Sequence, residues 1–164
     1  MLALWCGLAF VSPVSAREGT LPHSLSAAII VKVLAFESSD RSEKTMRIHV
    51  LDEGNLADEL TAYVGTSIRD RSLVGVTRGL EIPEGVQVVV AVKAGNLDRA
   101  IEFARVNKAL SVTINPELKS QGAALIVYDD EGLPGILLNR EASGREGLYW
   151  EPEILQIARM VGER

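Results

Sequence analysis

The stretch Val86-Gln87-Val88-Val89-Val90-Ala91-Val92 constrains the fold more than any other part of the chain. Only Gln87 interrupts its apolar character, and valine dominates it. A β-branched run with no apolar/polar alternation reads as a strand buried on both faces, as central strands of parallel sheets are. Such a strand needs neighbours on both edges and covering layers above and below. That narrows the fold class to layered α/β. Aromatic residues make up only 5% of the chain, so Val, Ile, Leu and Ala must fill the core, which suits the same architecture.

The flanking segments supply the layers. Ser24 is placed to cap a helix over residues 25–36, where only Ser26 and Lys32 are polar. Residues 46–51 read as a strand with Ile48 and Val50 on one face. Gly54-Asn55 opens a helix with Leu56, Leu60, Tyr63 and Val64 at helical spacing, and residues 72–77 form a further strand. After the valine strand, Gly95-Asn96 caps a helix whose Leu97, Ala100, Ile101 and Ala104 form the buried stripe. Residues 110–114 are strand-like, and Asn115-Pro116-Glu117-Leu118 starts a helical turn with Pro at its first position. Residues 123–128 and 135–139 pair as an antiparallel hairpin across a longer loop, 129–134. Pro152 and Glu153 begin a terminal helix with Ile154, Ile157, Ala158 and Val161 inward. This order predicts a single-domain, Rossmann-like layered sheet, mostly parallel, with an antiparallel C-terminal hairpin.

The N-terminus predicts export. Residues 2–11 are an uncharged apolar run, followed by Pro13, with Val14 and Ala16 as the small residues before a cleavage site. The run is about half the roughly 20 residues needed to span a bilayer. Residues 1–16 therefore read as a signal peptide and 17–164 as the mature α/β domain, in the periplasm. Cys6, the single cysteine, falls in the leader, so the mature chain holds no thiol and no disulfide.

Charge and motif content exclude several functions. The net charge of −5, without a dense Lys/Arg run, argues against nucleic acid as a partner. His23 and His49 have no second ligand at metal-binding spacing. No G-x-S-x-G elbow is present. Asp129-Asp130 and the pair Glu151 and Glu153 are explained by turn geometry and by a helix's first turn. The junction Lys93-Ala94-Gly95-Asn96 has a single glycine and reads as an ordinary helix start rather than a phosphate cradle. These readings assign no catalytic residue, no metal and no cofactor: the chain is not expected to be an enzyme.

The helix over residues 25–36 raises a different possibility. One stripe, Leu25, Ala28, Ile29, Val33 and Phe36, suffices to seat it on a sheet. Ala27, Ile30, Val31 and Leu34 lie off that stripe and are expected to form an apolar interface with a second copy of the chain or with a membrane partner. The competing expectation is that the whole helix is core.

Three segments carry a family resemblance. They are the apolar helix Ala27-Ala28-Ile29-Ile30-Val31-Lys32-Val33-Leu34-Ala35-Phe36; Leu110-Ser111-Val112-Thr113 followed by Pro116-Glu117-Leu118 and Gly122; and Gly135-Ile136-Leu137-Leu138-Asn139 with the terminal Ile154-Leu155-Gln156-Ile157-Ala158-Arg159. In this order behind a leader, they resemble the YfiR family of periplasmic regulators. The resemblance implies a non-catalytic periplasmic protein that binds and restrains an inner-membrane diguanylate cyclase, lowering cyclic-di-GMP signalling and biofilm formation; the homodimer is expected from the 25–36 helix face alone. The alternative expectation is a periplasmic small-ligand-binding module that reports to a transporter or sensor kinase.

Overall fold

A computed structural model of the chain describes residues 19–39 and 42–162; the expected leader, 1–16, lies outside them. The valine run becomes strand β4 (Val88–Ala91), buried at every position. Its partners are β1 (Thr45–Leu51) on one side and β5 (Leu110–Thr113) on the other, both parallel to it. The described residues form an eight-stranded sheet in the order β2-β3-β1-β4-β5-β6-β7-β8. Here β2 is Ser67–Ile68, β3 Arg71–Arg78, β6 Leu125–Asp130, β7 Leu133–Asn139 and β8 Arg159–Val161. Only the β2·β3 and β6·β7 pairings are antiparallel. The expected α/β fold, mostly parallel with an antiparallel C-terminal hairpin, is therefore what the chain adopts.

Period-two alternation divides the sheet's side chains between two cores. Ile48, Val50, Val88, Val90, Val112, Leu125 and Val127 enter one core; Leu51, Val89, Ala91, Ile126 and Tyr128 enter the other. The first is covered by α1 (His23–Leu34) and α2 (Gly54–Thr61), the second by α3 (Ala94–Asn107) and a 3-10 turn, Pro116–Gln121. The expected stripe of α3, Leu97, Ala100, Ile101 and Ala104, is buried as read.

Helix α1 corrects one expectation. Ala27 and Ile30 are 0% exposed, Leu34 1% and Val31 9%, all packed inside the domain. The exposed side runs through Ser24, Leu25, Lys32 and Ala35, with Ala28 half-buried. The apolar patch that suggested an interface is therefore core. A helix that is apolar nearly all round carries no phase from which to tell its buried face, and the sheet with α2 covers most of it.

The hairpin and the C-terminus differ as well. The last rung between β6 and β7 is Asp130↔Leu133, leaving a two-residue turn at Glu131 (φ 56°) and Gly132 (φ 88°) in place of a longer loop. Two successive left-handed residues make the tight turn whose twist matches the strands. Pro134 is tolerated in β7 because its opposite number, Asp129, exchanges both backbone hydrogen bonds with Gly19 instead (3.1 and 2.9 Å). Residues 152–161 do not form the terminal helix. Pro152–Gln156 makes one 3-10 turn that buries Ile154, and the chain then extends as β8, parallel to Leu137–Asn139 of β7. The open backbone edge of β7 offers hydrogen bonds that a short surface helix would leave unpaired, and tertiary pairing overrides the local signal. A short helix, α4 (Arg140–Arg145), capped by the Asn139 side chain, follows β7 directly.

Ile30→Asp places an unpaired carboxylate in the first core at a cost of several kcal/mol. The variant should lose its folded circular-dichroism signal; a folded, soluble protein would return the α1 face to the surface.

Candidate functional site

The most elaborate polar feature lies where the end of α1, the start of β3 and the segment after α4 meet. Glu37 follows α1 and pairs in a single antiparallel bridge with Trp150. Arg71 opens β3 directly after a turn in which Arg69 takes a left-handed backbone conformation (φ 57°). The Arg71 guanidinium donates to Glu37 Oε2 at 2.5 Å, with the two side chains 5% and 3% exposed. The second carboxylate oxygen accepts from the Ser39 N–H (2.9 Å). Backbone hydrogen bonds knit the same segments: Ser38 N–H to Tyr149 O (2.9 Å) and Glu151 N–H to Phe36 O (2.8 Å). Around them lies a cleft of about 310 Å³ lined by Glu37, Ser38, Ser39, Lys44, Arg69 and Glu151, among others.

Each cation of this cleft is answered from within the chain. Arg69 contacts Glu151 at 2.8 Å and Lys44 contacts Asp70 at 3.1 Å. The Lys44 hydrogen bond holds the Asp70 carboxyl below its ordinary value, with help from Asp70's own backbone N–H. The outer pairs are solvent-exposed and contribute little to stability. The buried Arg71–Glu37 pair matters because removing one partner strands the other charge in the interior.

A second buried cluster joins α4's exit to the sheet. Glu146 is 0% exposed and accepts hydrogen bonds from the Ser111 N–H (3.0 Å) and from the Ser111 hydroxyl. The Ser111 oxygen in turn accepts from the Ala124 N–H (3.0 Å). The carboxylate thus occupies the gap between β5 and the entrance to β6, taking the place of a backbone acceptor. Burial pushes the Glu146 carboxyl from an ordinary 4.5 up to about 7, against the opposing pull of the Ser111 hydrogen bonds and the Arg105 charge.

At the C-terminal ends of the strands, β1 lies between β3 and β4, the topological switch point where α/β sheets often bind ligands. The polar groups there are engaged with one another. Lys93 contacts Asp52 (2.8 Å) and Arg78 contacts Asp58 (3.4 Å). His49 lies buried on β1, with Nε2 donating to Gly79 O (3.0 Å) and Nδ1 hydrogen-bonded to the Thr77 hydroxyl (2.8 Å). A carbonyl can only accept, so Nε2 carries a proton; burial lowers the ring's pKa and so favours its neutral form, although the Gly79 carbonyl pulls the other way. Helix α3 begins at Ala94 with Lys93 as its uncapped N-terminal neighbour, not at the expected Gly95-Asn96 cap. Asp129 accepts from the Gly132 N–H in the hairpin turn, and Asp130 pairs with Arg159. Ala27, Ile30, Val31 and Leu34 belong to none of these clusters. Glu37, Arg71, Ser111 and Glu146 escaped the sequence reading.

The family model that describes YfiR/HmsC-like proteins matches residues 23–159. The chain belongs to the YfiR/HmsC-like family. The match opens on the first residue of α1 and closes on the first residue of β8, so the YfiR/HmsC-like region holds both buried polar clusters. Comparison with curated proteins finds no match. No helix among the described residues is long and apolar enough to cross a membrane.

Two outcomes test the clusters. Arg71→Met should lower stability by about 3–5 kcal/mol, and adding Glu37→Leu should recover most of the loss in urea melts, because the stranded charge is removed. For Glu146, the folded chain keeps its proton between the ordinary value and about 7 while the unfolded chain releases it. The corresponding stability is therefore complete below the ordinary value and lost as pH rises through about 7, a difference of ~3 kcal/mol. Urea melts at about pH 5 and about pH 8 should show this loss in the native protein and not in Glu146→Gln. The His49 contribution is common to both proteins and cancels in the difference.

Proposed function

We propose that the protein is a non-catalytic periplasmic regulator that binds and restrains an inner-membrane diguanylate cyclase, lowering cyclic-di-GMP output. Family membership over residues 23–159 supports the regulatory class. The observation that carries the reading is the cleft at Glu37 and Arg71. Its charges are spent on one another and on tying three chain segments together, as in a recognition surface held rigid from beneath. That internal pairing also favours a protein partner over a small anionic ligand. The apolar run 2–11 with Val14 and Ala16 before Arg17 supports export.

The rim of the cleft is the surface assigned to the partner. Tyr149, 69% exposed, is held by its backbone to Ser38 and Ser39 of the cleft and precedes Glu151 of the Arg69–Glu151 pair by two residues, and exposed Tyr and Arg side chains are frequent energetic centres of interfaces. The backbone groups of Tyr149 are held by Ser38 and Ser39, so truncating its side chain leaves the loop in place.

The test is co-expression with the membrane cyclase encoded nearest to this chain, with cyclic-di-GMP measured by mass spectrometry. The native protein, recovered from the periplasmic fraction with an intact mass starting at Arg17, should lower the nucleotide severalfold. The double variant Tyr149→Ala, Arg69→Ala should fold with unchanged circular dichroism and lose that effect. Unchanged nucleotide with the native protein would overturn the regulatory assignment, and full activity of the double variant would overturn the rim.

A further inference from the structure

Glu146 is a carboxylate buried with hydroxyl and amide donors but without an ion-pair partner among the described residues. The groups that face it come from every element packed around it. Ser111 of β5 donates twice, and Ala124 before β6 holds the Ser111 oxygen. Arg105 of α3 acts on it only through its charge. The aliphatic part of Lys108 lies 3.6 Å from where a Cβ on the neighbouring Gly147 would stand. Arg145, next in sequence, is engaged with Glu141.

The segment 140–151 is fastened to the domain at two ends. At one, Glu146 fills the gap between β5 and β6, and Leu148 is buried in the first core. At the other, Tyr149 and Glu151 exchange backbone hydrogen bonds with Ser38 and Phe36. Trp150 closes the segment on itself, its Nε1 donating to Ser143 Oγ of α4 at 2.9 Å. Neutral, the Glu146 carboxyl occupies its site without a charge to desolvate. Ionised, it must trade water for the two Ser111 donors and a cation that does not touch it.

We propose that Glu146 is a proton-controlled latch: its neutral form locks segment 140–151 against β5, and loss of the proton draws the carboxylate toward solvent and releases the segment. The latch does not depend on the identity of any partner. Tyr149 rides on the same segment, so release also loosens the rim, a consequence that rests on the regulatory reading above.

Trp150 reports on the latch directly. In the full chain carrying Trp5→Phe it is the sole indole. Its emission should shift reversibly between about pH 5.5 and about pH 8.5, with a midpoint near the pH of about 7 at which Glu146 titrates. Glu146→Gln should hold the docked spectrum across that range. Arg105→Glu, an exposed change on α3, replaces an attractive charge by a repulsive one and should raise the midpoint by about half a unit or more. It decides the matter even if Glu146→Gln fails to fold. A flat native titration, the same transition persisting in Glu146→Gln, or an unmoved midpoint in Arg105→Glu each overturns the latch. None of these results bears on repression measured at a single pH, so failure of the latch and failure of the regulatory reading are told apart.

Discussion

The backbone of β4 is removed from water on both faces, and everything else in the domain follows from having to satisfy it. Its N–H and C=O groups can only be met by strands on either edge, which β1 and β5 supply in parallel. Parallel neighbours require crossovers, and the crossovers are what lay α2 and α3 on opposite faces. The two cores are thus one consequence of one strand's hydrogen bonds. Tyr128 shows how tightly the second core is filled: a Cβ at Gly135, its partner across the hairpin, would stand 2.5 Å from the ring. Lys119 lies over that ring at 3.8 Å, and Arg159 of β8 donates to its hydroxyl.

Two polar clusters enter this interior where the sheet's regular pairing runs out. Ser111 sits in a strand buried at every position, and its N–H has no strand acceptor; Glu146 reaches in to provide one. Arg71 begins a strand at the sheet's margin, and Glu37 arrives from the end of α1 to neutralise it. Both acids come from segments that cross the N-terminal ends of the parallel strands, where chain connections are irregular and backbone groups are left over. The resulting clusters fasten loops to the sheet. They differ in one respect: the Glu37 charge is matched by a cation in contact, whereas that of Glu146 is met only by hydrogen bonds. On the latch proposed above, the second fastening is the one that responds to protons.

The regulatory role proposed above rests on how this construction uses its charges. Among the described residues, Lys93–Asp52 and Arg78–Asp58 pair with one another at the switch point, where α/β sheets often bind ligands. On that proposal, the surface offered to a partner is a rim of loops held in register by the buried Arg71–Glu37 pair. Membership of the YfiR/HmsC-like family points the same way.

The sequence by itself determined the sheet and its two layers. The valine run, the buried stripe of α3 and the Asp- and Gly-containing hairpin are written in local periodicity and turn chemistry, which neighbouring residues express without long-range information. It did not determine the phase of α1, because a helix apolar on all sides has no preferred face until the surfaces that cover it are in place. Nor did it determine the fate of residues 152–161, whose helical start signal lost to the open edge of β7. The two buried polar pairs were beyond it altogether. Glu37 and Arg71 are 34 residues apart and Ser111 and Glu146 are 35 apart; only Ser111, a hydroxyl in a strand buried on both faces, carried a local hint that a partner must exist. Which acid answers which donor depends on where the chain returns after crossing the sheet. Tertiary structure alone decides that, because burial first creates the demand for a partner and then restricts which side chains can reach it.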